Sequence, residues 1–199
     1  MNDLCKSILS SLNYSTDAKI WFQGRGERFI KNLGVLKGQS ILDFGCRIGH
    51  YVIPTAVVVG SAGRVYALDK DHSSIEFLLE NAKKLNLARN IIPIKTAGEL
   101  DIPLDDASID GILLYDIIHI ILGIDRTLTP LQSLLTEFYR VLKPGGLLSV
   151  SVDHLSEIKY SKQEILNEFR KSFFFRNTVK AKIMHWDWLR EGQVDNFIK

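Results

Sequence analysis

The sequence predicts an α/β fold with a mostly parallel sheet between helical layers, and three observations carry that expectation. Ile41 to Phe44 is a mostly apolar run that leads into Gly45 and Gly49, with helical periodicity after them. That is the pattern of a buried strand, a tight turn and a helix. Val65 to Asp69 is a second apolar run, and it ends in an acid. Apolar runs and helix-period stretches then alternate as far as Val152, as expected of parallel strands joined by crossover helices.

Each element follows from local pattern. Met1 to Asn32 reads as helical, and Phe29, Ile30 and Leu33 fall at helical spacing before Gly34 stops the run. After the first strand, His50 to Val59 reads as a helix with Pro54 in its first turns, where a missing N–H does least damage. Gly60 to Gly63 ends it. Past the second strand, Ser73 to Leu85 places Ile75, Leu78, Leu79, Ala82 and Leu85 on one helical face, with Ser73 or Ser74 as the expected cap. Ile91 to Lys95 reads as the third strand and Ile109 to Tyr115 as the fourth, with the Pro103 to Asp106 turn and a short helix in the crossover. Gly111 to Ile124, the most apolar window, suits a buried strand and its following loop. Leu128 to Leu142 is the next helix, ended by Lys143 to Gly146, and Leu147 to Val152 is the fifth strand. An amphipathic helix over Lys162 to Phe173 precedes two final strands, Val179 to His185 and Val194 to Ile198.

Composition narrows the function classes. With 199 residues and 46% apolar side chains, the chain suits one domain over residues 1–199. A net charge of +2 from dispersed lysines and arginines makes no nucleic-acid footprint. Cys5 and Cys46 are far apart, and a disulfide at Cys46 would distort the glycine turn, so both read as reduced thiols of a cytoplasmic protein. The N-terminal segment lacks the uninterrupted apolar core of a signal peptide. The window from Gly111 is too short for a membrane span and carries Asp116 and His119. Five histidines and two cysteines show no ligand spacing, so no metal site is expected.

The glycine turn and the acid at Asp69 point to a nucleoside ligand. Glycine lets backbone N–H groups approach a ligand at the positive end of the next helix, and a carboxylate at the end of the second strand accepts hydrogen bonds from ribose hydroxyls. An adenosine-type cofactor follows. Nicotinamide sites use G-x-G-x-x-G, whereas Gly45 and Gly49 stand four apart with Asp43 before them, which disfavours a nicotinamide-dependent oxidoreductase. Ile41 to Tyr51, Val65 to Asp71, Leu104 to Tyr115 and Arg140 to Val150 together resemble class I S-adenosylmethionine-dependent methyltransferases. Within these, the chain looks most like the broad small-molecule group that includes quinone-biosynthesis enzymes, over roughly Leu33 to Val152.

That resemblance implies a Rossmann-like three-layer sandwich of seven strands, the last two forming an antiparallel hairpin at the sheet edge. It implies S-adenosylmethionine as cofactor, S-adenosylhomocysteine as product and a small-molecule acceptor. Gly45, Cys46 and Gly49 would receive the methionine portion, with Asp43 orienting the turn or reaching the methionine ammonium through water. Asp69 would bind ribose, the Lys70 stem would rest on adenine, and Thr96, Glu99 or the backbone groups of Ala97 and Gly98 would meet the adenine, where many relatives place an acid. Tyr115, Asp116 and His119 follow the fourth strand, nearest the transferred methyl, with Asp116 touching cofactor or acceptor and His119 as a candidate base. Residues 1–32 would form a helical flap in which Tyr14, Trp21, Phe22 and Arg25 either cover the cleft or pack the helices. His185 to Trp188 would either wall the acceptor pocket or sit between the last strands. Arg47 departs from the family's D-x-G-x-G-x-G pattern, replacing its middle glycine. Aimed at the sulfonium it would repel the cofactor, and aimed at the methionine carboxylate or solvent it would help or be neutral. The rival reading is a binding or scaffold protein that keeps the fold without catalysis.

Overall fold

The computed structural model describes residues 7–9 and 11–199. Seven strands form one sheet in the order β3-β2-β1-β4-β5-β7-β6. The parallel strands are β1 (Ser40–Phe44), β2 (Arg64–Asp69), β3 (Ile91–Lys95), β4 (Ile109–Leu114) and β5 (Leu142–Val150). β6 (Phe174–His185) and β7 (Trp188–Ile198) pair antiparallel, and β7 runs antiparallel to β5. Seven strands with an antiparallel edge hairpin are what the family resemblance implied.

Helices cover both faces because the central strands are apolar on both. Ile41 of β1 joins one core, with Val52 and Val59 of α3 (Val52–Val59) and Ile75 and Leu78 of α4 (His72–Lys84). Before these helices in the chain, α1 (Thr16–Ile20), a π turn (Trp21–Arg25) and α2 (Gly26–Asn32) close the same face. Leu42 and Phe44 join the opposite core, with Ile118 and Leu122 of α5 (Ile118–Gly123), Phe138 of α6 (Thr129–Val141) and Phe169 of α7 (Lys162–Arg170). The alternation along β1 thus feeds two cores from one short strand.

Several elements differ from the sequence reading, each for a local physical reason. α4 is capped by Asp71, which accepts from the backbone N–H groups of Ser73 and Ser74, so neither serine is the cap. A carboxylate also complements the positive helix end better than a hydroxyl. No helix lies in the crossover at residues 96–108, where Pro103 and a run of acids offer no helical face. Residues after β4 form α5 where a loop was expected. The edge hairpin is longer than expected: β6 begins at Phe174, away from the turn, and β7 begins at Trp188, beside it, because exposed edge strands carry polar residues such as Asn177, Thr178 and Gln193 that mask the strand pattern. β5 begins at Leu142, and the two glycines before Leu147 are held in the sheet by Gly145 N–H donating to the Lys199 carbonyl at 3.0 Å. Cys5 and the expected helix at the start of the chain lie outside the described residues.

The order of the strands fixes the site. β2 and β3 lie on one side of β1 and β4 and β5 on the other, so the chain reverses direction between β1 and β4. A crevice opens outside the carboxyl ends at such a switch point.

Candidate functional site

A cleft of about 530 Å³ occupies that crevice, lined from the ends of β1, β2 and β4, the segment after β3, and the tip of the β6–β7 hairpin. Its size suits a cofactor or a small ligand. Gly45, Cys46, Arg47, Asp69, Lys70, Glu99, Tyr115 and Asp116 all line it. Asp43, Gly49 and His119 do not.

The β1 turn is built on two left-handed glycines, Gly45 at φ 79° and Gly49 at φ 87°. Packing demands them as well: a Cβ on Gly45 would stand 2.2 Å from Ile117 Cδ1, and one on Gly49 2.2 Å from Leu78 Cδ1. The turn is tied to β2 through the N–H groups of Gly45 and Cys46, which donate to the Leu68 carbonyl at 2.8 and 3.0 Å. Asp69 completes the tie, accepting from the Arg47 N–H at 2.7 Å and the Asp71 N–H at 2.9 Å. An ionised carboxylate has about four acceptor positions, so Asp69 keeps capacity for ligand hydroxyls while it holds the turn.

Beneath the turn, Asp43 is buried and its Oδ2 has no hydrogen-bond partner. Burial, with the nearby Asp69 charge, pushes its carboxyl up to about 8. A buried acceptor without a donor is costly unless a cationic or donor group reaches it. Cys46 is a free, buried thiol, and burial together with Asp43 and Asp69 raises its pKa, so it stays protonated.

Arg47 holds a left-handed backbone at φ 45°, and its guanidinium lies 4.2 Å from the centroid of the Trp186 ring. The left-handed conformation costs roughly 1 to 2 kcal/mol, and a cation–π contact returns about 0.5 to 1 kcal/mol. Trp186 sits in the β6–β7 turn and lines the cleft. His185 to Trp188 therefore does both things that the sequence left open, closing the last hairpin and walling the cleft.

Other expected residues are placed more exactly than the sequence allowed. Glu99 lies at the rim, its Oε2 accepting from the Ala97 N–H at 2.8 Å, so its carboxylate folds back on its own turn. Tyr115 gives its ring to the wall while its hydroxyl donates to Ser149 Oγ at 2.7 Å inside the sheet. Burial raises that hydroxyl's pKa well above the usual range. Asp116, in a left-handed conformation at φ 57°, lines the cleft, and burial raises its carboxyl to about 6 against the pull of His154. His119 is not part of the lining and lies beside His154, the two rings tilted by 39° with centroids 4.3 Å apart. Burial, then His154, lower its pKa.

Of the N-terminal aromatics, none lines the cleft. Trp21 is fully buried and donates from Nε1 to the His50 carbonyl at 2.7 Å, and the Tyr14 hydroxyl donates to the Ile48 carbonyl at 2.8 Å. In these contacts they pack against the turn from behind. His50 does reach the cleft, and burial pulls its imidazole down to about 4. Sequence reasoning passed over Ile117, Ile120, Ile124 and Met184, which contribute apolar lining, and over His154. None of these carries a motif. The histidines that show no ligand spacing in the chain are nevertheless brought together at the ends of β4, β5 and β6, each after or at a different strand.

A family model described as a methyltransferase domain matches residues 42–150, more than half of the chain and ending where β5 ends. The chain belongs to the class I S-adenosylmethionine-dependent methyltransferases. Its relatives include two demethylmenaquinone methyltransferases. That of Staphylococcus aureus is 30% identical over 87% of this chain and 66% of its own length. That of Lactococcus lactis is 29% identical over 83% of this chain and 63% of its own length. A solved S-adenosylmethionine-dependent methyltransferase from Aquifex aeolicus superposes with a TM-score of 0.70 at 23% identity, covering 87% of this chain and 88% of that one. The chain spans less than two thirds of the length of these curated relatives, or about that share.

The methyltransferase cofactor fits what the cleft presents. Asp69 has open acceptor positions for ribose hydroxyls, and the unpartnered Asp43 Oδ2 lies within the fold behind the glycine turn that would receive the methionine portion. Arg47 turns its charge onto Trp186 at the wall. No helix among the described residues is long and apolar enough to cross a membrane.

Proposed function

We propose that this methyltransferase domain moves the methyl group of S-adenosylmethionine to an apolar small molecule seated against Ile117, Ile120, Ile124 and Met184. The observation that carries the reading is a single cleft onto which the glycine turn, the ribose-type acid Asp69 and the carboxylate Asp116 all open. When bound at the glycine turn and Asp69, S-adenosylmethionine would supply a methyl group on a positively charged sulfur, transferable to an acceptor atom with the bonding electrons retained by sulfur. The acceptor proton passes to Asp116. A carboxylate near 6 is ionised at neutral pH and more basic than an ordinary one, which suits a general base. The tightly walled cleft contributes chiefly by alignment, the main lever in a direct displacement at carbon. His119 acts here through its contact with His154 and not at the methyl.

The apolar lining and a net charge of +2 favour a small molecule over nucleic acid. Because two relatives are named demethylmenaquinone methyltransferases, demethylmenaquinone is the first acceptor to try, followed by other hydroxylated aromatics. One continuous sheet supports reading residues 1–199 as one domain. The free, buried thiol of Cys46 supports a cytoplasmic setting. The stacking of Arg47 on Trp186 counts against the non-catalytic scaffold reading so far as that reading rests on Arg47, and leaves its other ground, the missing acid near Gly98, untouched.

The deciding experiment incubates purified protein with methyl-labelled S-adenosylmethionine and a panel led by demethylmenaquinone. Label transfer that depends on Asp116 supports the proposal. Absence of S-adenosylhomocysteine binding at millimolar concentration sinks it.

A further inference from the structure

Behind Asp116 lies a group of side chains that methyl transfer alone does not call for. Asp116, His119 and His154 each present a ligand atom within 4.8 Å of the others. Three atoms of the trio, Asp116 Oδ1, His119 Nδ1 and His154 Nε2, are buried without a hydrogen-bond partner. Asp116 Oδ1 and His154 Nε2 stand only 2.9 Å apart, yet they are not aligned as a hydrogen bond. The other ring nitrogen of His154, Nδ1, meets Glu157 Oε1 at 2.8 Å. With Nδ1 held by that carboxylate, Nε2 of His154 faces the Asp116 oxygen. Buried polar atoms without partners are costly, and a cation held among the three would satisfy them together.

We infer that Asp116, His119 and His154 bind a divalent first-row transition-metal ion beside the methyl-acceptor cleft. Two imidazoles and one carboxylate are a ligand set for zinc, iron(II) or manganese(II), and three protein ligands leave positions open. Glu157 is the carboxylate that fixes the His154 tautomer, as the partner of a metal-bound histidine does. Asp116 and His154 both hold left-handed backbones, at φ 57° and 55°, which aim their side chains into this spot. A second set, Asp116, Asp153 and His185, shares Asp116. Its Asp153 already engages Arg190 and the Ser151 hydroxyl, so the first set is the better cage.

Because Asp116 also lines the cleft, an open position on the ion would take an oxygen of the acceptor, orient it toward the methyl and favour its deprotonated form, in place of the general-base role that Asp116 has without the ion. That role rests on the methyl-transfer reading; metal binding itself does not. The substrate class it selects is a small molecule with an oxygen donor, such as a phenol or a carboxylate.

The test is calorimetric titration of chelator-treated protein with zinc and manganese(II), magnesium serving as the control for an all-oxygen preference. One equivalent of zinc should bind at micromolar concentration or tighter, and magnesium should not. His154→Ala should weaken zinc binding at least tenfold, and Glu157→Gln, at an exposed position that leaves the fold intact, about tenfold. Both should bind S-adenosylhomocysteine as the wild type does. Wild-type affinity for zinc in either variant, or no stoichiometric binding in the parent, overturns the inference. Loss of S-adenosylhomocysteine binding with zinc binding intact overturns the cofactor reading and leaves the metal site standing.

Discussion

Removing the Asp69 carboxylate is the perturbation that most directly tests the cofactor site. In the free protein Asp69 ties the Arg47 and Asp71 N–H groups at 2.7 and 2.9 Å, and in the complex it would also accept from the ribose hydroxyls. A hydrogen bond to a charged acceptor contributes roughly 1.5 to 3 kcal/mol. Losing one weakens S-adenosylhomocysteine binding about tenfold, and losing two at the low end weakens it about a hundredfold. Asp69→Ala is therefore expected to lose between ten- and a hundredfold in calorimetric affinity, and Asp69→Asn less. Because the same change loosens the turn, the melting temperature should drop by a few degrees, so affinity alone does not prove ribose contact. A 2′-deoxy analogue of S-adenosylhomocysteine separates the two effects. Wild type should bind the analogue about tenfold more weakly than the parent compound, whereas Asp69→Ala should scarcely distinguish them. If the variant discriminates as strongly as wild type, or binds S-adenosylhomocysteine equally well, ribose recognition by this strand end is refuted.

Further outcomes follow from the neighbours of this site. The Asp43 carboxyl is raised to about 8 in the folded protein, so between about pH 4, its ordinary value, and pH 8 the folded state holds a proton that the unfolded chain has released. Its stabilising contribution is full at the acid end and is lost as pH rises through 8. The melting temperature of Asp43→Asn should thus decline less between pH 5 and 8 than that of wild type, and parallel curves would refute the buried-proton picture. If the methionine ammonium reaches Asp43, cofactor binding at pH 7 should release close to one proton, read as a buffer-dependent enthalpy that Asp43→Asn abolishes. Arg47→Gly exchanges a left-handed side chain and a 4.2 Å stacking contact on Trp186 for a permissive glycine, so affinity should stay within about threefold, whereas a loss beyond tenfold would show that the guanidinium grips the methionine carboxylate. Trp21→Phe keeps most of the buried ring but leaves the His50 carbonyl without its 2.7 Å donor, a loss of about 1 to 3 kcal/mol. Thermal unfolding checks it, and an unchanged melting temperature would mean that water replaces the indole.

The parts of the site that sequence made legible are those where one residue type is forced by backbone geometry. Gly45 and Gly49 need left-handed turns and have no room for a Cβ, and Asp69 ends a strand whose apolar pattern is unmistakable. The cap of α4 was misplaced by a few residues because Asp71, Ser73 and Ser74 are all capable caps, and only the three-dimensional hydrogen bonds choose among them. The helix after β4 hid in a window apolar but for Asp116 and His119, where periodicity carries little information. The lining residues Ile117, Ile120 and Met184 have nothing in their local pattern to separate them from core.

By itself the sequence determined the alternation of strands and helices and the glycine turn, because these depend on contacts between residues close in the chain, whereas the antiparallel edge hairpin was implied only by the family resemblance. Tertiary structure decided where charge goes. It turned Arg47 onto Trp186, left Asp43 Oδ2 without a partner, and gathered Asp116, His119 and His154 from the ends of different strands. Such groupings depend on which strand ends lie side by side and on how buried each group is. Spacing along the chain encodes neither.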